Sequence, residues 1–357
     1  MAALIGPERC DLAVVGAGIV GTMVAHLAAE KHPEWTTVLI DRGLPGHGAT
    51  AYSLALDVGS AANPAMRRFV TDSAPISQQL AAAMPTCFRT LEAFAISPSS
   101  SGGRQGAGVH RLRTRWPELV LGPGDVVLAG QTATSATPLA LVEGLIARMR
   151  RSGVRCWEGT DVTMLESEPS GIRLLMADGR ELLAACVVVA VGPWITTGRW
   201  QMYAERLGVR VKKVVALHLD IRPRADDPVV LLTADDAFLL PDVDGDRYLF
   251  SFASQEWDVP PDPARLRITR DDQELALEIL ERRLPGLARR CSGARVFCDA
   301  YAPNRTPLVT GLDVDPRICV ATGGSGSGFR LAPGMALAAL RYLDTHLPAM
   351  AELRVAP

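Results

Sequence analysis

Asp11-Leu-Ala-Val-Val-Gly16-Ala-Gly18-Ile-Val-Gly21 is the stretch from which the fold can be read. Asp11 to Val15 reads as a fully buried parallel strand that ends at Gly16. Ile19 to Lys31 reads as a helix ended by Pro33, and Thr37 to Ile40 as the next strand. The three make a βαβ unit about thirty residues long. Within the GxGxxG pattern, Gly16 allows the tight turn, Gly18 lets backbone approach a pyrophosphate, and Gly21 lets helix pack close to strand. The helix N-terminus then faces the anion. Asp41 follows the second strand, twenty residues beyond Gly21, where a carboxylate can accept hydrogen bonds from adenosine ribose hydroxyls. The constellation predicts a dinucleotide site; its alternative is a glycine-rich helix packing with no ligand.

Leu12 to Ala29 is almost wholly apolar and on length alone could be a short membrane span. Gly16, Gly18, Gly21 and His26 interrupt it, so strand, turn and buried helix are the expectation. The chain has 357 residues, nearly half of them apolar, enough for two domains or one large α/β unit with an insertion. With 37 basic and 39 acidic residues, charge gives no general reason to expect nucleic acid or an anionic membrane as partner. The seven cysteines are scattered and never form a CxxC pair, which argues against a zinc site or disulfide framework. Met1 to Cys10 does not read as a signal peptide, and a cytoplasmic location is expected.

Further along, Pro64 to Phe94 reads as helix interrupted by Pro75 and Pro85, and Ser97 to Gly108 as a low-complexity surface loop or, less simply, a lid. Pro138 to Ser152 is an amphipathic helix; Val154 to Trp157, Val162 to Glu166, Ile172 to Met176 and Cys186 to Val191 are strands. Val209 to Ile221, Val229 to Thr233, Ala237 to Leu240 and Arg247 to Phe252 look like an antiparallel sheet, with Asp244-Gly245 as a hairpin turn. Asp271 to Leu284 is a helix, Ile318 to Ala321 a last buried strand, and Ala332 to Leu347 the final helix. This order predicts an α/β (α+β) chain: a Rossmann-type domain of residues 1–80, 130–205 and 310–357, carrying an inserted antiparallel-sheet substrate domain of residues 81–129 and 206–309.

Between the last strand and helix lies Gly323-Gly-Ser-Gly-Ser-Gly-Phe-Arg-Leu-Ala-Pro333. Backbone amides at such a turn can meet the carbonyl edge of an isoalloxazine ring. A flexible turn is the plainer alternative.

Taken together, the motifs resemble the D-amino-acid oxidase superfamily, and within it the glycine oxidase and monomeric sarcosine oxidase branch. The resemblance rests on Val15 to Gly21, Ile40-Asp-Arg42, Gly46-His-Gly-Ala-Thr50, Arg115-Trp-Pro-Glu-Leu119, Val189-Ala-Val-Gly-Pro-Trp194, Leu240 to Gly245, Pro303-Asn-Arg-Thr-Pro307 and Gly326 to Pro333, in that order and approximate spacing. It implies FAD as cofactor. Gly16, Gly18, Ile19, Val20, Gly21, Asp41 and Arg42 would hold the ADP part, Ala49 and Thr50 the ribityl or pyrophosphate region, and Val162 the adenine through its backbone. Gly192 and Trp194 would lie near the pyrophosphate, and Gly326, Gly328, Phe329 and Arg330 near the isoalloxazine.

The resemblance also implies that Arg330 holds a substrate carboxylate, since arginine can pair with it bidentately; a structural ion pair is the alternative. Tyr301 and Tyr248 are candidate pocket hydroxyls, though half-buried strand aromatics would look the same. His218 reads as a satisfied histidine sooner than a catalytic one.

The chain also departs from the family. It has Tyr301-Ala-Pro-Asn304 where relatives often have Tyr-Thr-Pro-Asp, and Tyr248 to Phe252 lacks the lysine that activates dioxygen in the sarcosine branch. Lys212 and Lys213 lie on a different strand. Cys298 is one residue from where some relatives attach FAD covalently. The expected reaction is oxidation of a C–N bond in a small, N-substituted amino acid to an imine, with dioxygen reduced to hydrogen peroxide. The alternatives are a dehydrogenase of an amine or 2-hydroxy acid passing electrons to a carrier, and a flavin-binding subunit without turnover. The sequence does not specify an oligomeric state.

Overall fold

A computed structural model describes residues 7–61, 63–98, 107–312 and 315–346. The chain opens with β1 (Glu8–Val15), α1 (Ile19–Lys31) and β2 (Thr37–Ile40). The short α2 (Ala49–Tyr52) and β3 (Leu56–Asp57) lead to α3 (Arg67–Ala83), β4 (Phe88–Pro98), α4 (Ala107–Arg115), β5 (Asp125–Ala136) and α5 (Pro138–Arg151). Next come β6 (Arg155–Trp157), β7 (Val162–Glu168), β8 (Gly171–Met176), β9 (Glu181–Val189) and α6 (Gln201–Leu207). The chain continues through β10 (Arg210–Leu219), β11 (Val229–Leu232), β12 (Ala237–Asp242), β13 (Arg247–Phe252), α7 (Arg270–Arg283) and α8 (Pro285–Ala288). It closes with β14 (Cys291–Tyr301), β15 (Leu308–Leu312), β16 (Asp315–Thr322) and α9 (Gly328–His346).

Two sheets form. The first has the order β15-β16-β9-β1-β2-β6, with the β7–β8 hairpin joined to β9 through β8. Its pairs around β1 are parallel, Leu12 opposite Thr37 on one side and Cys186 on the other. Period-2 alternation sorts β1 between two cores. Leu12 and Val14 pack with α1, α5 and α9, whereas Ala13 and Val15 pack with the β7–β8 hairpin and α6. The chain leaves β1 toward β2 and returns to its other edge at β9, so the carboxyl ends of β1 and β9 flank a topological switch point. Ligands bind at such a crevice in open α/β sheets.

The second sheet has the order β14-β10-β13-β12-β11-β4-β5-β3 and is antiparallel apart from the β11–β4 pair. Its outer face packs on α4, α7 and α8. Thr269 caps α7 in a capping box with Asp272, satisfying two orphan amides at that end.

The ambiguous segment from Leu12 to Ala29 is strand, turn and helix, and among the described residues no helix is long and apolar enough to cross a membrane. Other expectations need correction. Phe88 to Phe94 is strand, not helix, because the chain turns at Pro85 and pairs with β5 along its length. The loop expected over Ser97 to Gly108 is strand at Ser97 and Pro98 and helix from Ala107; residues 99–106 lie outside the described set. The final helix begins at Gly328, not Ala332, so Arg330 sits in its first turn and Pro333 is accommodated near its start. The strand β5 runs across the expected boundary at 129/130, and β3 joins the second sheet.

One ion pair at the start of β16 gives the fold a measurable acid dependence. Asp315 is buried; burial pushes its carboxyl up, but the Arg317 guanidinium and amide outweigh that and hold it at about 2. Arg317 donates from Nη2 at 2.7 Å and from its backbone amide at 2.9 Å. A folded pKa below the unfolded value of about 3.9 contributes stability above that value, lost as pH falls toward the folded one. Asp315→Asn is therefore expected to lower the melting temperature at pH 7, by up to roughly 2 kcal/mol in stability, and to match wild type near pH 2. A deficit that is the same at both pH values in thermal melts would refute this account.

Candidate active site

A continuous cavity of about 1230 Å³ runs from the carboxyl ends of β1 and β9 to the first turn of α9. Single drug-sized ligands occupy roughly 300–1,000 Å³, so there is room here for a dinucleotide and a small substrate. Of the expected site residues, Gly16, Gly18, Ile19, Val20, Asp41, Arg42, Ala49, Thr50, Val162, Gly192, Trp194, Tyr301, Gly326, Gly328, Phe329 and Arg330 border it. Gly21, Tyr248 and Cys298 do not.

At the nucleotide end the backbone is shaped for close approach. Gly16 has φ +100°, and a Cβ there would come 2.5 Å from the Ala190 carbonyl oxygen. A Cβ at Gly21 would overlap the Gly16 carbonyl oxygen, which explains its place outside the cavity: it seats α1 against the turn. The first-turn amides of a helix have no intrahelical acceptor. Ile19 donates its amide to the buried Thr50 Oγ1 at 3.0 Å, leaving that of Val20 for an anion. Asp41 accepts from the Ala17 amide at 2.7 Å through Oδ2 and from the Gly43 amide at 2.8 Å through Oδ1. Each oxygen keeps a lone pair for a ribose hydroxyl. The carboxylate therefore also ties the glycine turn to the loop after β2, a role the spacing alone did not show.

Trp194, in the turn after β9, packs so close to Gly48 that a Cβ there would sit 2.9 Å from its ring. The Arg42 guanidinium lies 4.7 Å from the centroid of the same ring. Val162 is buried at the start of β7 and borders the cavity beside Thr160 and Asp161. The glycine cradle, the Thr50 hydroxyl and the Asp41 carboxylate fit the ADP portion of FAD.

At the other end, Gly323 to Gly328 turns the chain from β16 into α9. Gly323 and Gly326 have φ +69° and +79°, and Ser325 shares the left-handed region at +53°. Strand β14 holds the turn in place. The Gly326 amide donates to Asp299 Oδ2 at 2.8 Å, the Ser325 amide to the Ala300 carbonyl at 2.9 Å, and the Ala302 amide to Ser325 Oγ at 3.1 Å. Alternation along β14 points Phe297, Asp299 and Tyr301 at the cavity. Burial pushes the Asp299 carboxyl up, although its two accepted amide bonds pull the other way. Burial also raises the Tyr301 phenol, so it stays protonated and can donate.

Arg330 is the third residue of α9. Its side chain is 10% exposed, its Nη1 donates to the Ser60 carbonyl at 2.7 Å, and it lies 3.7 Å from Asp57 Oδ1. Burial lowers the guanidinium and Asp57 partly restores it. Among the described residues only its Nη1 is engaged, which leaves its other donors for a second anion.

Two candidates fall on the wrong face of their strands. Tyr248 alternates with Leu249 and Ser251; it shares the outer core with Phe250 and Phe252, is fully buried, and donates its hydroxyl to Asp227. Cys298 lies between Phe297 and Asp299, with its thiol in a small core with Val211, Val259 and Leu266, so it does not reach the cavity. Burial pushes that thiol up to about 12. His218 is half-buried beside Arg247 and also lies away from the cavity. The sequence reading missed Asp299 and Lys212, which both border it. The signal available was weak: each is a charged residue in a strand that also carries other polar residues.

A family model described as FAD dependent oxidoreductase matches residues 11–341. A search of curated protein sequences finds no significant match. The fold is similar to that of glycine oxidase from Geobacillus kaustophilus, at TM-score 0.75 and 15% identity over 95% of each chain. It is similar to L-proline dehydrogenase from P. horikoshii, at TM-score 0.78 and 17% identity over 94% of each chain. It is similar also to L-amino acid deaminase from Proteus vulgaris, at TM-score 0.72 and 15% identity over 95% of this chain and 94% of the other. At these identities the likeness is one of fold.

Proposed function

The chain belongs to the family of FAD dependent oxidoreductases, and from that premise we propose that it oxidises the C–N bond of a small amino acid to an imine. The observation that carries this reading is Arg330: a buried guanidinium on the helix turn that follows the glycine cradle, held along one edge and facing the cavity. A buried cation among glycines and apolar side chains needs an anionic partner, and Asp57 at 3.7 Å supplies only part of one. A substrate carboxylate on the free edge would fix the Cα–H in place; positioning of this kind supplies much of the rate in reactions of this class.

FAD, when bound, supplies the acceptor for the hydride of that C–H bond. The amine must reach the site as its free base, so that its lone pair forms the C=N bond as the hydride leaves. On this reading Tyr301, whose hydroxyl lies beside Gly326 and is kept protonated by burial, donates a hydrogen bond to the reacting molecule. Water then hydrolyses the imine to a carbonyl compound and an amine. Dioxygen takes the two electrons and two protons, giving hydrogen peroxide. The structural neighbours include both an oxidase and a dehydrogenase, so the fold suits dioxygen or a carrier as acceptor. On this reading Gly16 to Gly21, Asp41, Arg42, Ala49, Thr50, Val162, Gly192 and Trp194 hold the nucleotide half. The FAD-binding part comprises residues 1–80, 137–205 and 310–357, with the junction moved to the end of β5.

Anaerobic mixing with amino acids and N-substituted glycines is expected to bleach the flavin. Arg330→Met is expected to raise the concentration for half-reduction about 100-fold, the scale of a lost charge-assisted pair. Equal bleaching by the variant at low substrate would remove Arg330 as anchor. Failure of every amine to bleach wild type would instead favour a flavin-binding subunit. Peroxide release under air, against dye reduction without oxygen, decides the acceptor.

A further inference from the structure

Among the described residues six cationic residues border the cavity; four of them pair with a carboxylate, and Arg42 is exposed to solvent. Arg42 lies on Trp194, Arg199 pairs with Asp161 at 3.1 Å, Arg305 with Asp236 at 3.7 Å, and Arg330 with Ser60 and Asp57. Lys213 is 1% exposed and pairs with Asp272 at 2.6 Å and with Glu256. The sixth is Lys212. It is 4% exposed, and among the described residues no carboxylate lies within ion-pairing distance of its ammonium. Asp299 is directly opposite across the β10–β14 register, but its two oxygens accept from the Gly326 and Ala300 amides. What Lys212 has is two aromatic faces, with Nζ 5.1 Å from the Trp257 centroid and 5.6 Å from that of Tyr301.

A buried ammonium without a counter-ion is costly, and two ring faces offset only part of the cost. Burial, and then Arg305, lower its proton affinity, against a smaller pull from Asp236. Tyr301 joins this cation to the flavin end: its ring carries Lys212, and its hydroxyl would lie 3.1 Å from a Cβ at Gly326. The cavity thus offers an unneutralised positive charge one tyrosine away from the glycine turn, in addition to Arg330.

We propose that Lys212 binds a second carboxylate of the substrate, so that the enzyme's substrates are amino acids with two acidic groups, one held by Arg330 and the other by Lys212. This rests on the reading of Arg330 as anchor of the first carboxylate. No bond to Lys212 forms or breaks; its ammonium stays protonated and gains a partner.

The FAD-loaded protein is titrated anaerobically with acetate, malonate, succinate and glutarate, and binding is read from the visible flavin spectrum. The best dicarboxylate is expected to bind at least about tenfold more tightly than acetate, the scale of one charge-assisted bond. Lys212→Met should erase that preference while leaving acetate binding as in wild type, and Lys212→Arg should keep part of it. Flavin content and melting curves show whether the variants fold. Independently of any variant, the same dicarboxylate should protect Lys212 of wild type from an amine-reactive label, read by peptide mass. A wild type with no dicarboxylate preference, a preference that survives Lys212→Met, or a Lys212→Met defect confined to reoxidation by oxygen would each overturn the proposal. Acetate binding unchanged by Arg330→Met would instead remove the reading beneath it, without touching the ratio that decides Lys212.

Discussion

Gly21→Ala is expected to yield protein that retains less than about a tenth of the wild-type flavin, because overpacking at a closed contact costs roughly 1–3 kcal/mol. The new methyl would occupy the Gly16 carbonyl oxygen's position and press on Val14 Cγ1 at 3.3 Å. Neither can give way: Gly16 is held by its amide to the Ile40 carbonyl at 2.8 Å, and Val14 lies in the core of the first sheet. Helix α1 must therefore shift away from β1, taking its N-terminal amides off the place proposed for the pyrophosphate. Gly18→Ala makes the contrast. Its methyl meets only Thr50 Oγ1, at 3.3 Å, so the fold should melt as wild type while FAD binds more weakly. The measurements are the ratio of visible to protein absorbance and the melting temperature of each variant. A Gly21→Ala protein with full flavin content would show that the turn does not set the helix against the cofactor.

This first βαβ unit is also where the sequence was most legible. The helix Ile19–Lys31 and the strand Thr37–Ile40 were read at their observed bounds, since a strand buried on both faces and a helix opened by glycines and closed before a proline leave little else those letters can do. The other half of the site was less legible for a physical reason. In β14, Ser292, Gly293 and Arg295 break the apolar pattern away from the cavity, and Asp299 breaks it where the strand borders the cavity instead of a core. The turn before α9 could be recognised as glycine-rich, but not as held by Asp299, because that contact joins segments far apart along the chain. Lys212 and Lys213 are adjacent, and no local rule says that one would pair with Asp272 while the other would face the cavity unpaired. Tyr248 was misplaced for want of parity: it sits two and four residues before Phe250 and Phe252, which mark the outer core.

That outer core makes the second large prediction. Asp227, buried at its carboxylate, accepts from Arg115 Nε at 2.9 and 3.0 Å, from the Arg224 amide at 2.7 Å and from the Tyr248 hydroxyl. Burial opposes the charge on Arg115 and Asp227 more than restores it, which is the balance expected of a desolvated pair. Trp116 closes the site edge-on to Tyr248 at 5.8 Å, so this carboxylate, with the Arg111–Glu92 pair, fixes α4 to the second sheet. Removing one partner of a buried pair strands the other, and Asp227→Ala is expected to cost about 3–5 kcal/mol in denaturant unfolding. Arg115→Met combined with Asp227→Leu should cost less than Asp227→Ala alone, because no charge is left unpaired. Tyr248→Phe should cost only about 1 kcal/mol and leave flavin reduction by substrate at the wild-type rate. The last comparison separates structure from catalysis: with its hydroxyl on the far side of the sheet from the cavity, Tyr248 can affect turnover only by unfolding the protein. A Tyr248→Phe enzyme of normal stability that reduced its flavin slowly would contradict the position assigned to that side chain.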